Sequence, residues 1–170
     1  MVSDAIWLTP IIESYEDAYH GYQFMNFYKL NSHLVSESDL ISFIETCHNK
    51  DIWFMVDVVT HHVSPIGIDY SRITPFNTAE YYHDDCDIID RSNQWEVENC
   101  RYEECPDLKH EDSWVAQTLH DWIKDLVTKY DIDGIRIDTV MEVPKSFWDS
   151  FRDAAGIFQI GDAFNDELCC

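Results

Sequence analysis

Basic side chains are what this sequence has least of. Only 11 lysines and arginines stand against 33 aspartates and glutamates, a formal charge of −22 over 170 residues. That balance argues against nucleic acid or an anionic membrane as partner, because both are polyanions bound through cationic side chains. No apolar run approaches the ~20 residues of a membrane-spanning helix. The N-terminus, Met1-Val2-Ser3-Asp4, has no basic n-region and leads almost at once into a strand-like run, so no signal peptide is expected. Internal repeats and low-complexity stretches are missing as well. No Gly-x-Gly-x-x-Gly follows a strand-like run, which argues against a dinucleotide site. Apolar residues at 45% and aromatics at 14% describe an ordinary globular chain with enough length for one core and one or two domains.

The stretch from Asp131 to Val140 is the most informative. Ile135 and Ile137 alternate with Arg136 and Asp138, the period of two that marks a strand. A cation and a carboxylate then share one face of an otherwise apolar run, where burial is costly unless they pair or do chemistry. One reading is a structural ion pair under a loop. The other is a carboxylate kept ionised by a neighbouring guanidinium and available as a nucleophile.

Around this strand the chain alternates between periods. Ala5 to Ile12 reads as a buried strand ending at a proline, followed by a polar, aromatic-rich loop through Tyr15, Tyr19, His20, Tyr22 and Phe24. A helix follows, with Ser36 and Asp39 as a capping box and Leu40, Phe43, Ile44 and Cys47 at helical spacing. Ile52 to Val59 is an almost continuous apolar run broken by Asp57, as expected of a strand buried on both faces. From His61 to about His110 periodicity disappears for roughly fifty residues, too long for a loop, which predicts an inserted small domain. A second helix carries Val115, Leu119, Trp122, Ile123 and Leu126 on one stripe. A third begins near Pro144, buries Phe147, Trp148 and Phe151, and stops at Gly156. Ile157 to Phe164 reads as a last strand with Asp162 near its end. The predicted class is α/β with a parallel sheet, divided as 1–60 and 111–170 around an insertion at 61–110. Asp57, Asp138 and Asp162 all fall at the C-terminal ends of strands, the face where a (β/α)₈ barrel builds its active site.

Six cysteines are present: Cys47, Cys86, Cys100, Cys105, Cys169 and Cys170. A disulfide between Cys86 and Cys100, 14 positions apart, would contribute roughly 3 kcal/mol. The competing arrangement is a zinc site of Cys100, Cys105 and His110, which lacks the usual Cys-x-x-Cys pair.

Taken together, these residues resemble the alpha-amylase family of glycoside hydrolases, most closely its secreted fungal-type members. Asp57-Val-Val-Thr-His-His62 is similar to the family's Asp-Val-Val-x-Asn-His motif, and Gly134-Ile-Arg-Ile-Asp138 to the segment carrying the nucleophile. Gly161-Asp-Ala-Phe-Asn165 stands where the acid/base segment is expected. Ala18-Tyr-His-Gly-Tyr22 resembles a substrate-loop motif, and Cys105-Pro-Asp-Leu108 the short motif Leu-Pro-Asp-Leu. The Cys86–Cys100 spacing, with Glu98 just before Cys100, also matches. The likeness runs over nearly the whole chain, with several motifs in the right order.

The resemblance implies a partial TIM barrel of about four of the eight strands, with a calcium-binding insertion, acting on α-1,4-glucosidic bonds of starch or glycogen. Asp138 would be the nucleophile, Arg136 its partner and Asp162 the acid/base. His20, Tyr22, Asp57 and His62 would hold the sugar. Each has a plainer alternative: Asp57 capping a turn, His62 bonding a loop carbonyl, Tyr22 a rim aromatic. Glu98 and Asp107 match calcium carboxylates, His61 stands where the family has Asn, and Glu142 stands where a His offers its backbone carbonyl. A histidine nitrogen is a softer donor than an amide oxygen and suits calcium less. The full-length parent would be a secreted monomer joined by the Cys86–Cys100 disulfide.

Departures from the family pattern set the alternatives. Asp162 replaces a Glu, drawing the carboxyl back by ~1 Å, a displacement that can cost about a hundredfold in rate. Met141 stands where many relatives carry a substrate-binding Lys. A complete barrel takes ~250 residues, so the chain is expected to be a central fragment, inactive alone. The alternatives are a degenerate homologue that binds carbohydrate and calcium without cleaving, or an α-glucosidase or transglycosylase of the same family.

Overall fold

Two periodicities, two for strands and 3.6 for helices, sort the chain into a parallel sheet with helices packed on it. The structure, a computed structural model, describes residues 4–16, 18–65 and 69–163. In chain order the elements are β1 (Ala5–Leu8), β2 (Ile12–Ser14), β3 (Phe24–Leu30), α1 (Glu37–His48), β4 (Trp53–Val59), α2 (Gln94–Asn99), α3 (Ser113–Tyr130), β5 (Gly134–Asp138), α4 (Lys145–Ala155) and β6 (Phe158–Gly161). The main sheet has the order β1-β4-β5-β6, and all neighbours are parallel. Expected residues beyond these bounds, namely Met1 to Ser3, Phe164, Asn165, Cys169 and Cys170, lie outside the described residues.

The helices start and stop on local chemistry. Ser36 Oγ accepts from the Asp39 amide at 3.2 Å to cap α1. Asp112 accepts from the Trp114 and Val115 amides to cap α3. α4 ends at Gly156, whose φ of 65° is the left-handed conformation glycine adopts without penalty. The stripe Val115, Leu119, Trp122, Ile123 and Leu126 is buried, as its spacing predicts. It shares one core with Val56, Val58, Ile135 and Ile137 of the sheet and Phe147 and Phe151 of α4. Phe43 differs from its expectation and stays partly exposed.

The first strand is shorter than its apolar run. It ends at Leu8, and after Pro10 the chain enters a separate antiparallel pair in which Ile12 faces Leu30 and Ser14 faces Phe24. β3 was not foreseen, because its aromatic residues read as part of the loop. Phe24 and Phe27 are nevertheless fully buried against Trp122, whose indole N–H donates to the Phe27 carbonyl at 2.8 Å.

Residues 61–110 carry short 3-10 turns at Tyr70–Arg72 and Ala79–Tyr81, together with α2. The stretch returns to its own start: the Val63 amide donates to the Pro106 carbonyl and the Leu108 amide to the His61 carbonyl. Its Tyr70, Ile73, Phe76 and Tyr82 join the main core. Cys86 and Cys100 form a disulfide, which removes the zinc arrangement of Cys100, Cys105 and His110, since Cys100 has no thiol to offer and Cys105 is a separate buried thiol. Peptide mapping without reductant should recover Cys86 joined to Cys100, and Cys86→Ser should lower stability by about 3 kcal/mol. Free Cys86 in chain folded under oxidising conditions would contradict the pairing.

Candidate active site

Register brings the charged residues together. Asp57 of β4 is the direct cross-strand partner of Arg136 of β5, and Val59 that of Asp138. With a period of two, Asp57, Arg136 and Asp138 therefore share the face opposite Ile135 and Ile137. Asp162 follows β6, its amide donating to the Ile137 carbonyl at 2.8 Å, and lands beside them. Arg136 is the hub. Its Nη1 donates to both Asp57 oxygens at 3.0 Å and to Asp138 Oδ1 at 2.7 Å, while its Nη2 donates to Asp162 Oδ2.

Tyr22 arrives from the loop between β2 and β3. Gly21, at φ 83°, makes that turn possible, and a Cβ there would lie 3.1 Å from the Pro10 carbonyl oxygen. The Tyr22 hydroxyl donates to Asp57 Oδ2 at 2.8 Å, and its ring lies 5.9 Å from the Arg136 guanidinium. Trp7, which sequence reasoning passed over, puts its own ring 5.7 Å from the same guanidinium. Its only signal was a place in the apolar run of the first strand. His20 stacks on Tyr22 and its Nδ1 accepts from the Tyr22 amide at 3.1 Å. His62 Nε2 donates to the Tyr22 carbonyl at 3.1 Å. His20 and His62 thus converge on the main chain of Tyr22 from two sides.

A cleft of about 610 Å³ opens above the hub, lined by His20, Tyr22, His62, Asp138, Glu142 and Asp162 and, from residues 61–110, by Arg91, Tyr102, Glu103 and Cys105. Asp57 and Arg136 are not in its lining. The Asp57 side chain is wholly buried beneath Tyr22, whereas that of Asp162 is 51% exposed. The four expected sugar-holding residues therefore divide: His20, Tyr22 and His62 reach the cleft and Asp57 supports it from below.

Burial pushes the Asp57 carboxyl up to about 6, against the Tyr22 hydrogen bond and the Arg136 guanidinium that hold it down. Asp138 also moves up: burial raises it, Arg136 pulls it down and Asp162 pushes it up again. Arg136 thus acts on Asp138 in the expected direction, against burial. One guanidinium serves three carboxylates. Burial pushes His62 down to about 3, so its ring is neutral.

Residues 1–160 match the family described as Alpha amylase, catalytic domain. The chain is 38% identical to an alpha-amylase of Saccharomycopsis fibuligera, over 96% of this chain and 36% of that protein. It superposes on an alpha-amylase from Malbranchea cinnamomea with a TM-score of 0.90 at 40% identity, covering 96% of this chain and 37% of the other. The chain belongs to the alpha-amylase family. An alpha-amylase from Geobacillus thermoleovorans, solved in complex with acarbose, is 32% identical with a TM-score of 0.89. The chain spans about a third of the length of the relatives it matches.

The calcium that membership implies meets a donor set it does not fit. Among the described residues no three His, Cys, Asp or Glu side chains come together as a metal-holding group. Glu98 accepts from Gln94 Nε2 at 2.6 Å, and Glu142, whose backbone carbonyl was the expected donor, is one of the residues lining the cleft. Asp107 faces imidazoles on both sides, His61 Nε2 at 3.2 Å and His83 Nδ1 at 2.6 Å. Calcium takes six to eight oxygens; nitrogen is the wrong donor here. His83 was missed in the sequence, where nothing local ties it to Asp107.

The Asp57 shift has a consequence for stability. An unfolded Asp titrates near 3.9, so between roughly pH 4 and pH 6 the folded state binds more protons than the unfolded one. Stability contributed by protonated Asp57 is present at low pH and is lost as pH rises through about 6. The stability of the unaltered chain relative to Asp57→Asn should therefore fall from about pH 4 to about pH 7, by on the order of 2–3 kcal/mol. Urea denaturation across that range measures it, and a relative stability that stays constant or rises with pH would contradict the assignment.

Proposed function

We propose that this chain carries the catalytic strands of a retaining glycoside hydrolase that cleaves α-1,4-glucosidic bonds of starch or glycogen. The observation that supports the reading is the Arg136 hub, which gathers Asp57, Asp138 and Asp162 at the C-terminal ends of adjoining parallel strands beneath the cleft. Asp138 attacks the anomeric carbon and forms the glycosyl-enzyme ester. Asp162 protonates the departing oxygen and then takes a proton from the water that cleaves the ester. Tyr22 offers its ring to the sugar, steadied by His20, His62 and Asp57. Four carboxylates, Glu103, Asp138, Glu142 and Asp162, outnumber the single cation Arg91 in the lining, which suits an uncharged, hydroxyl-rich substrate and disfavours anionic ones. The Cys86–Cys100 disulfide supports folding in the secretory pathway. Calcium has no part in these steps.

A second reading has its own support. Asp162 is a shorter acid than the family's Glu and spends one oxygen on Arg136, so its carboxyl is held back from a glycosidic oxygen in the cleft. On that reading the site binds maltooligosaccharide and does not cleave it.

Grafting residues 1–163 into the homologous part of a complete related amylase separates the two. In the hydrolase reading Asp162→Glu raises kcat on a chromogenic maltooligosaccharide by about two orders of magnitude, and adding Asp138→Asn abolishes the gain. A graft that binds acarbose but stays inactive with Glu at position 162 would establish the binding reading. Activity that survives Asp138→Asn would overturn the nucleophile assignment.

A further inference from the structure

The far wall of the cleft carries a cation that the Arg136 hub does not use. Arg91 and Tyr102 both line the cleft from the 61–110 stretch, and the Arg91 guanidinium lies 5.0 Å from the centre of the Tyr102 ring. Arg101, Arg136 and Arg152 are each bound to carboxylates. Among the described residues Arg91 has no such partner, in a chain with 33 acids to 11 bases. The reason is local. Asp90 accepts from the Ser92 amide at 2.9 Å, and Glu96 accepts from the Ile89 and Asp90 amides at 2.9 and 2.8 Å. These neighbouring acids are committed to the main chain, which fixes the turn bearing Arg91 and leaves its exposed side chain to the cleft.

Tyr102 is held as firmly. Just before it, the Arg101 amide donates to the Cys86 carbonyl at 2.7 Å, beside the Cys86–Cys100 disulfide. Just after it, the Cys105 amide donates to the Tyr102 carbonyl at 3.0 Å across a tight turn through Glu103 and Glu104, at φ 50° and 66°. Two successive non-glycine residues in the left-handed region cost free energy. Here they present Tyr102 and Glu103 to the cleft.

We propose that Arg91, steadied by Tyr102, is a specificity-determining residue that grips a glucosyl unit away from the one being cleaved and so selects long α-glucan chains over short ones. The inference rests on the carbohydrate reading of the cleft. A guanidinium offers five N–H donors in a planar fork and no acceptor, so its ligand must present paired acceptors. Neighbouring ring hydroxyls of a sugar do so without charge, and the four carboxylates of the lining disfavour an anion. Stacking on Tyr102 keeps the fork from folding back onto those carboxylates. Tyr22 bonds to the hub that holds Asp138, and Arg91 belongs to the wall facing it. A short sugar held over the hub leaves Arg91 unfilled, and a longer one reaches both.

Isothermal titration calorimetry of maltose and maltoheptaose against the whole chain tests this. The unaltered chain should bind maltoheptaose more tightly than maltose. Arg91→Ala should cut the ratio of the two affinities about tenfold, the size of one charge-assisted hydrogen bond, with the melting temperature unmoved because Arg91 is exposed. Arg91→Lys keeps the charge and loses the fork, so it should recover only part of the ratio. A ratio that survives Arg91→Ala, or an unaltered chain with no preference for the longer sugar, would overturn the assignment and leave the carbohydrate reading in place. Failure to bind either sugar would overturn both.

Discussion

One guanidinium holds this site together. Arg136 sits at the cross-strand position of Asp57 and contacts Asp138 on its own strand and Asp162 after the next. Without it three carboxylates would crowd one end of a parallel sheet, two of them on largely buried side chains, and mutual repulsion would push them apart or force them to take up protons. Tyr22 and Trp7 place their rings near the charge and close the hub from above and beside. The substrate loop, three strands and the chemistry thus meet on one side chain.

Sharing has a consequence for chemistry. Asp138 and Asp162 hold opposite terminal nitrogens of the same arginine, so the two groups proposed for the chemistry share one anchor. A longer side chain at position 162 would carry its carboxyl further into the cleft that Asp162 already lines, leaving the guanidinium to Asp57 and Asp138. The shorter one stays on the arginine. Asp57, sealed under Tyr22, serves by anchoring Arg136 and the tyrosine hydroxyl, so its influence on a sugar passes through them.

The second junction of the molecule lies where residues 61–110 leave and rejoin the sheet. His62 faces the cleft through Tyr22, His61 faces Asp107, and the two rings are bonded to each other. Adjacent residues therefore connect the sugar-facing loop to the root of the irregular stretch. The shared core with Tyr70, Ile73, Phe76 and Tyr82 keeps this stretch packed on the sheet and carries Arg91, Tyr102 and Glu103 to the far wall of the cleft.

Much of this was legible along the chain, because strand and helix periods are local properties. The apolar stripe of α3, the caps at Ser36 and Gly156, and the Arg136/Asp138 alternation needed only neighbouring residues to be read. So did the family likeness, carried by short motifs in order. β3 was not legible: its burial depends on Trp122, nearly a hundred residues away, and Phe24 to Leu30 has no period of its own. Nor was the division among the sugar-holding residues, since only the packing of Tyr22 over Asp57 takes that carboxylate out of the cleft. The sequence by itself determined which residues carry charge and which face of each strand they occupy. Tertiary structure alone decided that Arg136 would be divided among three acids, that Asp162 would turn to it, and that His83 would claim Asp107. Hydrogen bonds and ion pairs depend on distances between remote segments, and those distances exist only once the sheet has set its register.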